Sequence, residues 1–290
     1  MNKPLNQDSS IKKWIKVIWI LFSVPIIFII LFFYLISQGY LGYMPSFEEM
    51  ENPKNQLATE IISSDGVVLG TYFKENRTPV KFNEISPNVV NALIATEDAR
   101  FYKHSGVDLR AIGRVILGTG KKGGGSTLSQ QLAKMLFPRE DFSNPIKKVI
   151  RKLREWVMAI KLEKRYTKEE IITMYLNKFD FLNLAVGIKS ASKVYFSTTP
   201  DSLKIEQAAM LIGMCKNPSL FNPLRREQQT IERRNVVLGQ MLKYGYINEQ
   251  QFDSLKQLPL GIKFQRVDHK EGLATYFREY LRQIMTANEP

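Results

Sequence analysis

Val17 to Ile36 is an unbroken run of 20 residues without one charged side chain, and no other feature limits the architecture of this chain so severely. An α-helix rises about 1.5 Å per residue, so about 20 apolar residues match the hydrocarbon thickness of a bilayer. Pro25 lies inside the run and is tolerated in a membrane helix. A cleavable signal peptide is the rival reading, but its apolar region spans only about 7 to 15 residues and ends on small side chains. Ser37, Gln38, Gly39 and Tyr40 offer no such cleavage pattern, so the expectation is a retained anchor over residues 17–36. Lys3, Lys12, Lys13 and Lys16 precede the run against Asp8 alone, whereas Glu48, Glu49 and Glu51 follow it. The positive-inside bias then makes residues 1–16 a cytoplasmic tail and leaves everything after residue 37 outside the cytoplasm.

Charge narrows the partners. The chain carries 41 Lys and Arg against 28 Asp and Glu, and without its first 16 residues it still carries 37 against 27. Such a surplus draws anionic partners, a membrane surface or a phosphorylated substrate among them. The extracytoplasmic placement argues against nucleic acid. With 44% hydrophobic and 24% charged residues, the composition is globular and excludes a disordered or collagen-like chain. Cys215 is the single cysteine, which rules out an intrachain disulfide and a Cys-based zinc cluster.

Residues 37–80 read as a linker and hairpin-like leader. Met44 to Leu57 is polar with two prolines, and apolar runs between Glu60 and Phe73 flank Asp65-Gly66, a strong hairpin signal. From Pro87 onward the periodicity turns helical. Val90, Leu93, Ile94 and Glu97 share one face, as do Val149, Leu153, Trp156, Val157 and Ile160. Further helices fit Lys168 to Leu176, Ile205 to Cys215, Glu227 to Tyr244 and Asn248 to Leu255, punctuated by Asn217-Pro218, Asn222-Pro223 and Gly245. The expected fold class is mainly α, with one domain over residues 81–258. Residues 259–290, with a helical pattern from Gly272 to Ala287, form an extension that would lead towards a further domain.

Three segments carry chemistry. In Glu97-Asp98-Ala99-Arg100-Phe101-Tyr102-Lys103-His104-Ser105-Gly106, Glu97 extends the apolar stripe to where a helix face meets the interior. Desolvation there raises a carboxylate's pKa, as a base working near neutrality requires. The alternative is a solvated acid in a last helical turn. His104 reads as a packing or hydrogen-bonding histidine. In Gly123-Gly124-Gly125-Ser126-Thr127-Leu128-Ser129-Gln130-Gln131-Leu132-Ala133-Lys134, glycines and hydroxyls before a helix leave backbone N–H groups for a phosphate, with Lys121, Lys122 and Lys134 adding charge. A flexible loop capped by Ser126 is the alternative, and the spacing is not that of a Walker loop. In Arg151-Lys152-Leu153-Arg154-Glu155, Arg151 and Glu155 read alone as a surface i,i+4 pair contributing about 0.3–0.5 kcal/mol. Two patterns are set aside as chance: Ser190 to Lys193 matches S-x-x-K without the later elements such a nucleophile needs, and Asn76-Arg77-Thr78 matches a glycosylation sequon.

Taken in order, these segments resemble the peptidoglycan glycosyltransferases, the transglycosylase domain of class A penicillin-binding proteins (glycosyltransferase family 51). Glu97 to Gly106 fits E-D-x-x-F-x-x-H-x-G, Gly124 to Lys134 fits G-G-S-T-[IL]-x-Q-Q-x-x-K, and Arg151 to Glu155 fits R-K-x-x-E. Lys168 to Asn177 and Arg233 to Met241 supply the fourth and fifth motifs. Met135 stands where the family usually has Asn, Thr173 where it often has Glu, and Ser197 where Tyr-Phe-Gly is commoner. The family's basic residue before R-K falls on Lys147 by counting back or on Arg139 by residue type.

The resemblance implies a lysozyme-like, mostly α domain with a small membrane-proximal lobe, at work on lipid II and a growing glycan chain at the outer face of the cytoplasmic (inner) membrane. It implies Glu97 as general base and Glu155 as the group orienting the donor or its diphosphate. Ser126, Thr127, Gln130, Gln131, Lys134, Arg151 and Lys152 would bind substrate and diphosphate, and Asp98, Phe101, His104, Gly106 and Gly125 would support the motif. A divalent cation, Mg²⁺ or Mn²⁺, follows from the family, although no Asp/His cluster defines a cage. Lipid bilayer and wall-synthesis proteins are the further partners implied, with Met135, Leu136 and Phe137 expected either to dip into the bilayer or to pack in the core. Rival readings are a lysozyme-like glycan-cleaving enzyme, for which cations suited to a diphosphate have no use, and an inactive wall-assembly scaffold, for which Glu97 and Glu155 have none.

Overall fold

The computed structural model describes residues 7–45, 59–66, 68–72, 79–118, 124–137 and 144–265, with single positions at 276, 277, 280, 281 and 284. Most of the linker, the sequon at Asn76, the lysines 121 and 122, Arg139 and most of residues 272–287 lie outside these residues; the positions described in that last stretch are helical.

The uncharged run lies in one continuous helix, α1 (Gln7–Ser37), with Pro25 inside it. Within Ile11–Ser37 an 18-residue window reaches a mean hydropathy of 2.8, and the helix is long and apolar enough to cross a membrane; most of its large apolar side chains are exposed. The hairpin forms as expected. β1 (Thr59–Ile62) pairs antiparallel with β2 (Val68–Tyr72), Thr59 opposite Tyr72, with an irregularity between Ile61 and Ile62. Gly66 takes the positive φ of the turn, and the Ser63 hydroxyl bonds Asp65.

The body is helical, in line with the expected class. It comprises α2 (Pro87–Glu97), α3 (Leu109–Ile116), α4 (Leu128–Leu136), α5 (Pro145–Arg165), α6 (Lys168–Lys178), α7 (Ile188–Phe196), α8 (Ile205–Met214), α9 (Glu227–Lys243) and α10 (Glu249–Leu255). Ser86 caps α2 with Pro87 in its first turn, and Thr167 with Glu170 forms a capping box on α6. α8 is buried from Ala208 to Met214 between α2 and α9, while α4 packs on α5 and α6. Arg234 is fully buried on α9 and donates to the carbonyls of Lys256, Leu258 and Pro259, closing the chain after α10 onto the core. Ser197 ends α7 in the left-handed region at φ +53, the conformation that makes glycine the usual residue there.

α5 corrects the periodicity reading. Of the expected apolar face only Val157 is buried: Val149 and Ile160 are exposed, and Leu153 and Trp156 half-buried. Arg151, Arg154, Glu155, Met158 and Leu162 point inward instead. At 100° per residue the stripe Ile146, Val149, Leu153, Trp156 and Ile160 lies on the side of α5 turned away from that inward face. Its charges are tolerated inside because they pair with one another. The exit of α1 packs on α5 too. Ile36 is buried, Lys161 Nζ donates to the Ser37 carbonyl at 2.9 Å, and Arg154 fills the space that a side chain at Gly42 would need. Of the expected lipid-dipping residues, Phe137 is buried beneath the Arg154 guanidinium, and Met135 and Leu136 pack against the core. They are core residues.

Candidate active site

Glu97 is the last residue of α2, one turn beyond the buried Leu93 and Ile94. Its side chain is 15% exposed, and three other elements converge on it. From α4, Gln131 Nε2 donates to Glu97 Oε2 at 3.0 Å. From α9, Arg233 Nη2 stands 3.7 Å from Oε1. From α6, the Tyr175 hydroxyl donates to Gln131 Oε1 at 3.2 Å. Arg233 is itself held by the Gly213 carbonyl at 3.3 Å and lies against the Phe221 ring. Burial lowers its guanidinium, with Glu97 opposing that shift. Burial, then the neighbouring Cys215 and Glu97, push the Tyr175 hydroxyl well above its usual range, and burial with Glu97 pushes up the Cys215 thiol. Sequence reasoning quoted Tyr175 and Arg233 inside motifs but assigned neither to the site. Arg233 meets Glu97 across more than a hundred residues and Tyr175 is hydrogen-bonded to Gln131, which holds that carboxylate, relations that no local pattern signals.

Asp98 points elsewhere. Its carboxylate faces His104 Nε2 at 2.9 Å and accepts from the Leu128 backbone N–H at 3.0 Å. Thr127, not Ser126, caps α4, accepting from the Gln130 backbone N–H at 3.2 Å. Two of the first N–H groups of α4 are thus taken by side chains of the chain itself, and the expectation of a helix start left free for phosphate is corrected to that extent. The Gly106 carbonyl accepts from Thr127 Oγ1 at 2.6 Å and from Gln130 Nε2 at 3.4 Å, so both of these expected substrate-binding side chains face inward. Gly106 itself sits at φ +93, and a Cβ there would lie 2.7 Å from the backbone of Ala159 in α5. Only glycine permits that approach. Phe101 is fully buried beneath the Lys168 ammonium, 4.2 Å from the ring centroid, and Gly125 passes close to Val115.

The third segment forms a buried charge cluster and not a surface pair. Glu155, 7% exposed, accepts from Lys152 Nζ at 2.8 Å and stands 3.5 Å from Arg151 Nε. Lys152 also donates to Ser126 Oγ at 3.0 Å, which joins the second and third motifs. Lys134 is exposed on α4, three residues from Gln131 and therefore on the face that meets Glu97. α4 thus carries Gln131 at the carboxylate, and the segment leading into α4 carries Ser126 at the cation cluster. Lys147 is exposed in the first turn of α5.

The residues present do not make a metal cage. Among the described residues no three His, Cys, Asp or Glu side chains stand together, and both Glu155 oxygens already face cations. Ser190 and Ser192 of the S-x-x-K match are buried in α7, with Ser192 Oγ spent on the Ile188 carbonyl.

The profile of the family described as Transglycosylase matches residues 65–242. Penicillin-binding protein 1A of Escherichia coli (strain K12) is 37% identical over 246 residues, 83% of this chain and 28% of that protein. Penicillin-binding protein 1F of Bacillus subtilis (strain 168) is 33% identical over 273 residues, 92% of this chain and 37% of that protein. The chain therefore spans about a third of the length of these relatives. The crystal structure of penicillin-binding protein 1A from Haemophilus influenzae is similar with a TM-score of 0.42 and 23% identity, over 80% of this chain and 24% of that one.

Proposed function

Because this chain belongs to the transglycosylase family, we propose that it is a membrane-anchored peptidoglycan glycosyltransferase, polymerising lipid II into glycan strands. Glu97 is the general base. It takes the proton of the acceptor sugar's 4-hydroxyl; the freed oxygen pair attacks the donor anomeric carbon, and the bond to the diphosphate breaks with inversion. The departing undecaprenyl diphosphate carries the electron pair, and Arg151, Lys152 and Lys134 stabilise the charge that develops there. Glu155 holds Arg151 and Lys152 in place for that task. Ser126 and Gln131 line the route between carboxylate and cations, whereas Thr127 and Gln130 hold α4 rather than substrate.

The observation that carries this reading is the linkage of one partly exposed carboxylate on α2, through Gln131 of α4 and Ser126 just before it, to a cation cluster on α5. A glycan-cleaving enzyme needs a second carboxylate free to act on the sugar, and Glu155 is occupied by two cations. A scaffold has no need of either group. We place the chain in the cytoplasmic membrane as a single-pass protein, N-terminus inside and catalytic domain outside, as the lysines before α1 favour. The exposed Leu109, Val115 and Leu117 on and after α3, with Ile146 and Val149 on α5, are the residues suited to meet lipid, where the substrate's tail resides. Glu97→Gln is the test. This near-isosteric change should abolish polymer formation from lipid II with the melting temperature preserved; undiminished polymer on a gel would refute the assignment.

A further inference from the structure

We propose that Tyr175 is a positioning residue for the transfer reaction, fixing the Glu97 carboxylate by locking the orientation of the Gln131 amide. This rests on the reading of Glu97 as the base.

A glutamine amide offers one accepting and one donating end, and the two ends exchange on a half-turn of the side chain. Presented the wrong way, Gln131 would turn its oxygen on the carboxylate and repel it. Tyr175 removes that choice. Its hydroxyl, only 1% exposed at the residue level, donates to Oε1 at 3.2 Å and so leaves Nε2 to meet Glu97 Oε2 at 3.0 Å. The thiol of Cys215 neighbours the same hydroxyl. A directed chain runs from the core, through Tyr175 and Gln131, to one carboxylate oxygen. The other oxygen, Oε1, faces Arg233 at 3.7 Å, beyond a hydrogen bond. Oε1 is therefore the oxygen left open to take the acceptor proton, and its direction is set by the anchoring of Oε2. Three of the four groups in this chain, Tyr175, Gln131 and Glu97, come from different helices, so the constraint exists only in the assembled fold.

The experiment uses the full chain and lipid II in detergent. Tyr175→Phe removes the hydroxyl and keeps the ring. Misplacing a reacting group by about an ångström costs up to a hundredfold, so kcat should fall roughly tenfold to a hundredfold with KM within about twofold of the original. In a Gln131→Ala background Tyr175→Phe should do little more, since the amide whose orientation it fixes is gone. A wild-type kcat for Tyr175→Phe, or a full additional loss in the Gln131→Ala background, overturns the proposal. Should Tyr175→Phe fail to fold, Gln131→Met, similar in shape but without hydrogen bonds, carries the test. The same kcat loss supports the proposal, and unchanged turnover overturns it. An active Glu97→Gln protein would instead overturn the functional reading beneath it, so the two failures are told apart.

Discussion

Replacing Gly106 by alanine adds one methyl group at the point where the first motif passes over α5. The residue sits at φ +93, and the new Cβ would lie 2.7 Å from the Ala159 carbonyl carbon and oxygen and 2.8 Å from the Ile160 nitrogen. The conformation costs an L-residue about 1–2 kcal/mol. The overlap forces backbone apart, at about 1–3 kcal/mol for an overpacked site. Against this, alanine narrows the unfolded ensemble and returns about 0.4–1 kcal/mol. The net expectation is a loss of about 2–4 kcal/mol, which for a domain of this size lowers the melting temperature by roughly 5–15 °C. Activity should fall further than stability, because the Gly106 carbonyl holds Thr127 and Gln130 and with them the start of α4. Gly113 is the control: it lies inside α3 with nothing within 4 Å of a built Cβ. There the same substitution should stabilise by about 0.5–1 kcal/mol. Thermal unfolding of the two variants in detergent, followed by circular dichroism, decides it. A Gly106→Ala protein that melts within a degree of the parent and turns over normally would refute the close approach.

Two other expectations follow from buried charge and buried hydroxyl. Glu155→Gln removes the anion that Arg151 and Lys152 share; because Lys152 is 42% exposed and can turn to water, the loss should be about 1–3 kcal/mol, below the 3–5 kcal/mol of a fully buried pair. Polymerisation should be lost with it, and a mild, salt-dependent shift with normal turnover would restore the surface-pair reading. Burial pushes the Tyr195 hydroxyl from 10.0 up to about 12. Its contribution is complete below pH 10, where folded and unfolded chains both keep the proton, and is lost as pH rises towards 12, where only the folded chain keeps it. That fall amounts to about 2–3 kcal/mol. Urea midpoints at pH 9 and pH 11.5 should diverge less in Tyr195→Phe than in the parent, and equal divergence would contradict the burial argument.

Much of this site was legible in the linear sequence because its parts are local. The stripe of Val90, Leu93 and Ile94 led to Glu97, and Asp65-Gly66 marked the hairpin turn. What escaped notice were contacts that exist only once helices are packed. Arg233 and Tyr175 stood within recognised motifs, yet nothing in their immediate surroundings says that one meets Glu97 and the other the glutamine that holds it. α5 misled for a physical reason: periodicity assumes that apolar residues face a protein core, whereas this helix turns its charges to the site and leaves its apolar stripe outward. The short α3 was missed because Gly113 and Arg114 interrupt its pattern.

The junction where α1 leaves the apolar layer acts as a strut and not a tether. With Ile36 enclosed, the Ser37 carbonyl held by Lys161 and Arg154 seated under Gly42, the same helix that carries Arg151, Lys152 and Glu155 is bolted to the end of the span. The height of the cations above the hydrocarbon is then fixed by rigid geometry instead of by linker length. For the transfer proposed above, whose leaving group would be tied to lipid, that height is the coordinate along which diphosphate and catalyst must coincide.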